Sequence, residues 1–214
     1  MINRHGFLSV TRVLSVIALG VIMSGCVSLL PDPSPAPTIY RLSVPQSLED
    51  SRASSDNVVN IEYPTAPRGL SGTDIVLSPD GRRLTSAAQA NWAEAVPSMV
   101  RNSLIDTLAR DGQVIGVIPK GSTRVPYRLN TDLRRFEAVF DQGEDAAPNI
   151  VVQINVALTD TKTRQIIGVH TVTKETRAGM RTVSSIVDAK DRATREAMDD
   201  ISAWLVRQVL ADKS

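Results

Sequence analysis

Apolar and polar residues alternate along several stretches of the chain, and the alternation predicts strands. Tyr40, Leu42 and Val44 are separated by polar neighbours, as are Val59, Ile61 and Tyr63, the latter stopped by Pro64 and Pro67. Asp74 to Leu77 reads as a short third strand, closed by the turn sequence Ser78-Pro79-Asp80-Gly81. Gln113 to Ile118 is a short apolar segment. Tyr127, Leu129, Phe136, Ala138 and Phe140 mark another strand region. The cleanest pattern is Ile150, Val152, Ile154, Val156 and Leu158, with Gln153 and Asn155 facing the other way. Asp160 to Arg164 then predicts a hairpin turn returning through Ile166 to Thr173.

Two stretches carry helical spacing instead. Thr85 or Ser86 is expected to cap a helix running to about Arg110, in which Trp92, Val96, Met99, Val100, Leu104 and Leu108 recur on one side. Asp111-Gly112 should end it. Pro97 either kinks this helix or marks its true start after a short turn. From about Val183 a second helix places Ile186, Ala189, Ala193, Ala197, Ile201, Leu205 and Val209 on one stripe, and its small residues suit close packing on a sheet. The order of elements is neither strictly alternating nor segregated. The expected fold is therefore α/β in the mixed α+β sense: a single domain with a mixed β-sheet and two long helices packed on it.

The start of the chain has a different pattern. Arg4 and Arg12 precede Val13 to Met23, a run without charge, and Ser24-Gly25 lead to Cys26, the only cysteine. Basic, apolar and small-residue regions in this order are a secretory signal. The apolar run is too short to cross a bilayer, which takes roughly 20 residues. Small residues ending at a cysteine resemble a bacterial lipobox, in which the thiol receives diacylglycerol before cleavage; Met23 stands where Leu is more usual. Residues 1–25 are read as the lipoprotein signal peptide, Cys26 as the lipidation site, and 26–37 as a proline-rich tether. At roughly 3.1 Å per extended residue that tether reaches about 35–40 Å. Residues 38–214 form the folded part, with Gln46 to Asn57 as a polar loop. Val27 follows Cys26 where an Asp would retain a lipoprotein at the inner membrane, which favours the periplasmic face of the outer membrane.

Losing residues 1–25 removes two arginines and no acid, so the formal charge falls from +1 to −1. That balance offers no footprint for nucleic acid. Once Cys26 is acylated no thiol remains for a disulfide. His170 is the only histidine outside the signal; Asp160 and Asp188 are the candidate carboxylates to assist it, but a lone histidine cannot build a zinc site. There is no phosphate-binding glycine loop and no nucleophile elbow. Ser184-Ser185 read as a helix cap, and Asp199-Asp200 point in different directions. No catalytic residue, cofactor or metal is expected. Trp92 and Trp204 are either core anchors or the edge of an apolar groove.

Several features then converge. Cys26 and its tether lead to Tyr40-Arg41-Leu42, then to Asp74-Ile75-Val76-Leu77 and Asn91-Trp92-Ala93-Glu94-Ala95-Val96-Pro97. Tyr127-Arg128-Leu129, Leu133-x-x-Phe136, Leu158-x-Asp160 and Ala203-Trp204-Leu205 follow in order. Over about Ile39 to Ala211 the chain resembles the ABC-type transport auxiliary lipoproteins, also called cholesterol-transport auxiliary components. The resemblance implies a non-enzymatic periplasmic lipoprotein serving a mammalian-cell-entry (MCE) type system that moves lipids or other apolar molecules between membranes. Its partners would be an MCE-domain protein, the ABC permease and ATPase subunits, and the outer membrane through the lipid anchor. Lipid itself is a further candidate partner, and self-association is left open. The rival readings are a stand-alone lipid-binding carrier and an outer-membrane assembly lipoprotein.

Overall fold

A computed structural model describes residues 36–43, 57–121 and 123–213. The signal peptide, Cys26, the tether up to Pro35, Val44 and the loop from Gln46 to Asp56 lie outside the described residues. The elements are β1 (Thr38–Tyr40), β2 (Val58–Ile61), a 3-10 turn (Arg68–Leu70), β3 (Asp74–Ser78), β4 (Thr85–Trp92) and α1 (Val96–Asp111). β5 (Ile115–Val117), β6 (Tyr127–Val139), β7 (Asn149–Asp160), β8 (Ile166–Arg177) and α2 (Val183–Ala211) complete the elements of the described residues.

The eight strands form one mixed sheet built on the antiparallel ladder β6–β7–β8. The other edge of β6 is shared by two strands: β2 pairs parallel beside Tyr127–Leu129, and β3 pairs parallel beside Ala138–Val139. β2 continues to β5, and β3 to β4 and then β1. The sheet therefore forks along the length of β6. Thr65 bridges the fork, donating its N–H to Thr131 O (2.9 Å) and accepting from the Leu133 N–H (2.8 Å).

Both helices cover the same face. In β7 the inward row is Ile150, Val152, Ile154, Val156 and Leu158, none more than 3% exposed. Leu158 lies opposite Gly168 of β8, where a Cβ would stand 3.2 Å from the Trp204 ring of α2. Leu158 also faces Leu129, which is paired with Ile61. Beside Ile61, a Cβ on Gly116 would meet Leu108 of α1 at 2.9 Å. Glycine at 116 and 168 is thus what lets each helix approach the sheet. Burying a side chain of Ile, Leu or Val size stabilises by about 1.5–3 kcal/mol, so each member of this row is a substantial part of the core.

The inward pattern of β6 shifts from odd positions (Tyr127, Leu129, Leu133) to even ones (Phe136, Ala138). A bulge between Leu133 and Arg135 absorbs the extra residue and keeps both sets on the helix side.

The helix expected from Thr85 begins eleven residues later, at Val96. Thr85–Trp92 is instead the strand β4, paired with β3 and β1. Ala87, Ala88, Gln89 and Ala90 favour a helix locally, but partner strands on both sides override that preference. The strand is irregular, with Gln89 at φ 53° and a shift in register against β3. Pro97 therefore belongs to the first turn, where its missing N–H costs nothing, and the open alternative of a mid-helix kink is resolved. Ala95 is the N-cap, so neither Thr85 nor Ser86 has that role. Gly112 closes α1 at φ 70°, its N–H bonded to Leu108 O. For α2 the N-cap is Thr182, and Ser185 instead accepts a hydrogen bond from the Met180 N–H (2.9 Å).

Candidate functional site: the two faces of the sheet

On the covered face, β8 sets the polar residues His170 and Lys174 on either side of the buried Val172, where the inward row of β7 is wholly apolar. His170 lies opposite Val156 and stacks on Trp204, with centroids 5.5 Å apart and planes 15° from parallel. Its Nε2 is 3.1 Å from Asp200 Oδ1, and Lys174 Nζ donates to Asp200 Oδ2 at 2.8 Å. Lys174, and after it His170, hold the Asp200 carboxyl below the usual carboxylate range against partial burial. The histidine's partner is thus Asp200. Of the carboxylates considered from sequence, Asp160 accepts N–H bonds from Lys162 (2.6 Å) and Thr163 (3.2 Å), and Asp188 is exposed. Asp199, next in sequence, turns away to Arg110 of α1. Among the described residues no hydroxyl or thiol bonds to the imidazole, and no group of three His, Cys, Asp or Glu residues could hold a metal. What the cluster does chemically is fasten α2 to the strand at the edge of the sheet.

The two tryptophans are both buried. Trp92 is 2% exposed and packs on Phe136 at 6.0 Å, while Trp204 is 6% exposed beneath His170. Neither lines the groove described next.

Lys190 is a buried cation that no sequence signal marked. It is completely enclosed, donates to Phe136 O (2.8 Å) and stands 4.6 Å above the Phe136 ring. Burial lowers its pKa to about 7, with Glu137 pulling the other way. Only its place on the alanine stripe, one residue after Ala189, could have suggested burial.

The opposite face stays exposed across the middle of β6, β7 and β8. A groove of about 360 Å³ crosses it, lined by Asn130, Asp132, Asn155, Ala157, Val169 and Thr171 and flanked by Tyr63. Val169 is 70% exposed and Tyr63 52%, the latter beneath the Arg101 guanidinium at 5.1 Å. Thr65 pins this flank by donating to Asp132 Oδ1 (2.9 Å). The face offers amide and hydroxyl groups beside apolar ones.

With this architecture in view, comparison with known proteins decides the family. The family model of the ABC-type transport auxiliary lipoprotein component matches residues 40–202. The chain belongs to that family. The family inferred from residue order is thus the one found, and its members are lipoproteins, attached to a membrane of the cell envelope. A crystal structure from Xanthomonas campestris, assigned to the family DUF330, superposes with TM-score 0.70 at 19% identity, covering 82% of this chain and 99% of its own. The structure of an uncharacterized protein gives 0.62 at 17% identity, covering 79% of this chain and 98% of its own. A hypothetical protein of Chlamydia trachomatis gives 0.51 at 9% identity, covering 73% and 99%. At these identities the three share the fold. No curated protein matches the chain.

Proposed function

We propose that this auxiliary lipoprotein is a non-enzymatic subunit of an MCE-type ABC system moving lipids or similar apolar molecules between the membranes. In this reading it is held at the periplasmic face of the outer membrane by acyl chains on Cys26. The observation that carries the reading is the match of the auxiliary family to residues 40–202. The cluster at His170 supports the non-enzymatic part, because each of its charged groups is engaged in holding α2 against β8. The contribution of such a subunit is positional: the tether of residues 26–37 sets how far from the anchoring membrane the domain can work. Stable anchoring needs more than one acyl chain, which a mature lipoprotein supplies.

The test is capture of the full-length lipoprotein from its own membranes, combined with deletion of its gene. MCE, permease and ATPase subunits should co-purify, and the deletion should reproduce the permeability or lipid-uptake defect of an MCE deletion. A lipoprotein that brings down none of these subunits, from cells whose deletion lacks the MCE defect, overturns the reading. Cys26→Ala should release the protein from the membrane fraction or leave it unprocessed. Firm retention of a cleaved Cys26→Ala protein would mean that another anchor exists.

A further inference from the structure

The open face carries a second cleft, at the end where β6 begins. Its volume is about 610 Å³, and it is lined by Asn60, Thr123, Arg124, Arg128, Thr161 and Lys162. Its three cations come from separate segments: the loop before β6, β6 itself, and the β7–β8 turn. Independent solvated cations would repel one another out of a shared concavity; here the backbone brings them into one. Their neutralisation is incomplete. Arg128 Nε donates to Glu62 Oε1 at 3.1 Å, an oxygen that also accepts from Asn60 Nδ2 at 2.7 Å. Asp160 lies near Lys162 but directs one oxygen at the turn's own N–H groups. Among the described residues, neither Arg124 nor Lys162 has a carboxylate within ion-pair distance.

Arg128 of the cleft and Asn130 of the groove are two apart on β6, so the basic cleft and the groove lie about 7 Å apart on one face. One end is cationic with hydroxyl and amide donors. The other offers Ala157, Val169 and the Tyr63 ring. This sequence of surfaces matches an anionic amphiphile. Arginine forks take phosphate oxygens in pairs, and an ammonium adds a point charge. We propose that the cleft binds the phosphate headgroup of an anionic lipid, with the lipid chain laid along the groove past Ala157 and Val169. The inference rests on the lipid-transport reading only in choosing a lipid as the bearer of the phosphate. Capture of transport subunits without lipid binding, or lipid binding without capture, would separate the two.

The experiment places the full-length lipoprotein in phosphatidylcholine nanodiscs and titrates three probes by calorimetry: dihexanoyl phosphatidic acid, inorganic phosphate and dihexanoyl phosphatidylcholine. Heats from empty nanodiscs are subtracted. The phosphatidic acid should bind at least tenfold more tightly than either other probe. Combined Arg124→Gln, Arg128→Gln and Lys162→Gln should weaken it tenfold or more with the melting temperature unchanged. Arg124→Gln alone, at an exposed side chain, should give part of that loss. Val169→Asp should lower affinity for the phosphatidic acid and leave inorganic phosphate unaffected. Equal affinity for inorganic phosphate and the lipid would sink the chain-binding half. Affinity unchanged by the triple substitution would sink the headgroup site.

Discussion

The covered and open faces of this sheet are built from the same three long strands, and they obey different constraints. On the covered side, Ile154 sits between Leu133 and Val172, all of them buried to 2% exposure or less. One position away, Asn155 lies between Asp132 and Thr171 in an accessible groove. Because strand side chains alternate, a single residue step moves a position from a region governed by packing to one governed by solvent. Stability is concentrated on one side, and the middle of the other stays open to solvent.

The sharpest way to break this contrast is Ile154→Ala. It removes three carbons from a fully enclosed site and should destabilise the domain by about 4 kcal/mol in urea unfolding. A loss under about 1 kcal/mol would mean that the covered face is not the core.

Lys190 is the exception within that face, and pH exposes it. Its pKa is lowered from 10.5 to about 7 in the folded protein, so between these values the unfolded chain binds more protons. Stability should therefore rise from about pH 7 to 10.5 and be insensitive to this group below pH 7. Lys190→Met should abolish that rise and stabilise the protein at neutral pH by about 2 kcal/mol, since an enclosed ammonium no longer has to be desolvated. The check is a series of denaturant melts between pH 6 and 10.5; parallel curves for the two proteins would refute it.

The His170–Lys174–Asp200 cluster stands at the border between the faces and should be worth less. Asp200 has a lowered pKa, so its stabilisation is present above the ordinary carboxylate value and fades as pH falls through the lower folded value. Its carboxylate is a third exposed, and after solvent screening Asp200→Asn should cost about 1 kcal/mol at pH 7. That cost should shrink toward pH 2. A cost that grew on acidification would contradict the assignment.

The smallest effect belongs to the open face. Thr173→Ala, exposed on β8 opposite Gln153, should change stability by no more than about 0.5 kcal/mol. A large loss there would show that the face is packed against something in the folded chain.

Much of the fold was legible because its signals are local. The alternation from Ile150 to Leu158 and the three- and four-residue spacing from Ile186 to Val209 each identify an element and its buried side without reference to the rest of the chain. Gly112 as a helix stop and Asp160 at the hairpin turn are equally local, being backbone conformations and N–H bonds supplied within a few residues. Residues 85–92 depart from the expected helix for the complementary reason. Their alanines favour a helix, and the strand exists only because β1 and β3 supply hydrogen bonds from distant parts of the chain. The site was less legible than the fold. His170 and Asp200 lie thirty residues apart on different elements, and their contact depends on α2 crossing β8.

The sequence alone determined that this chain carries a lipobox-like cysteine, an auxiliary-family order of motifs, and strands and helices with one apolar side each. These follow from residue type and spacing, which the chain carries whether folded or not. Only the tertiary structure decided which strands share β6, that both helices cover one face, that Lys190 is enclosed, and that Arg124, Arg128 and Lys162 meet in one cleft. Each of these is a long-range juxtaposition. Its energy depends on desolvation and charge among groups distant in sequence, and local periodicity does not encode those distances.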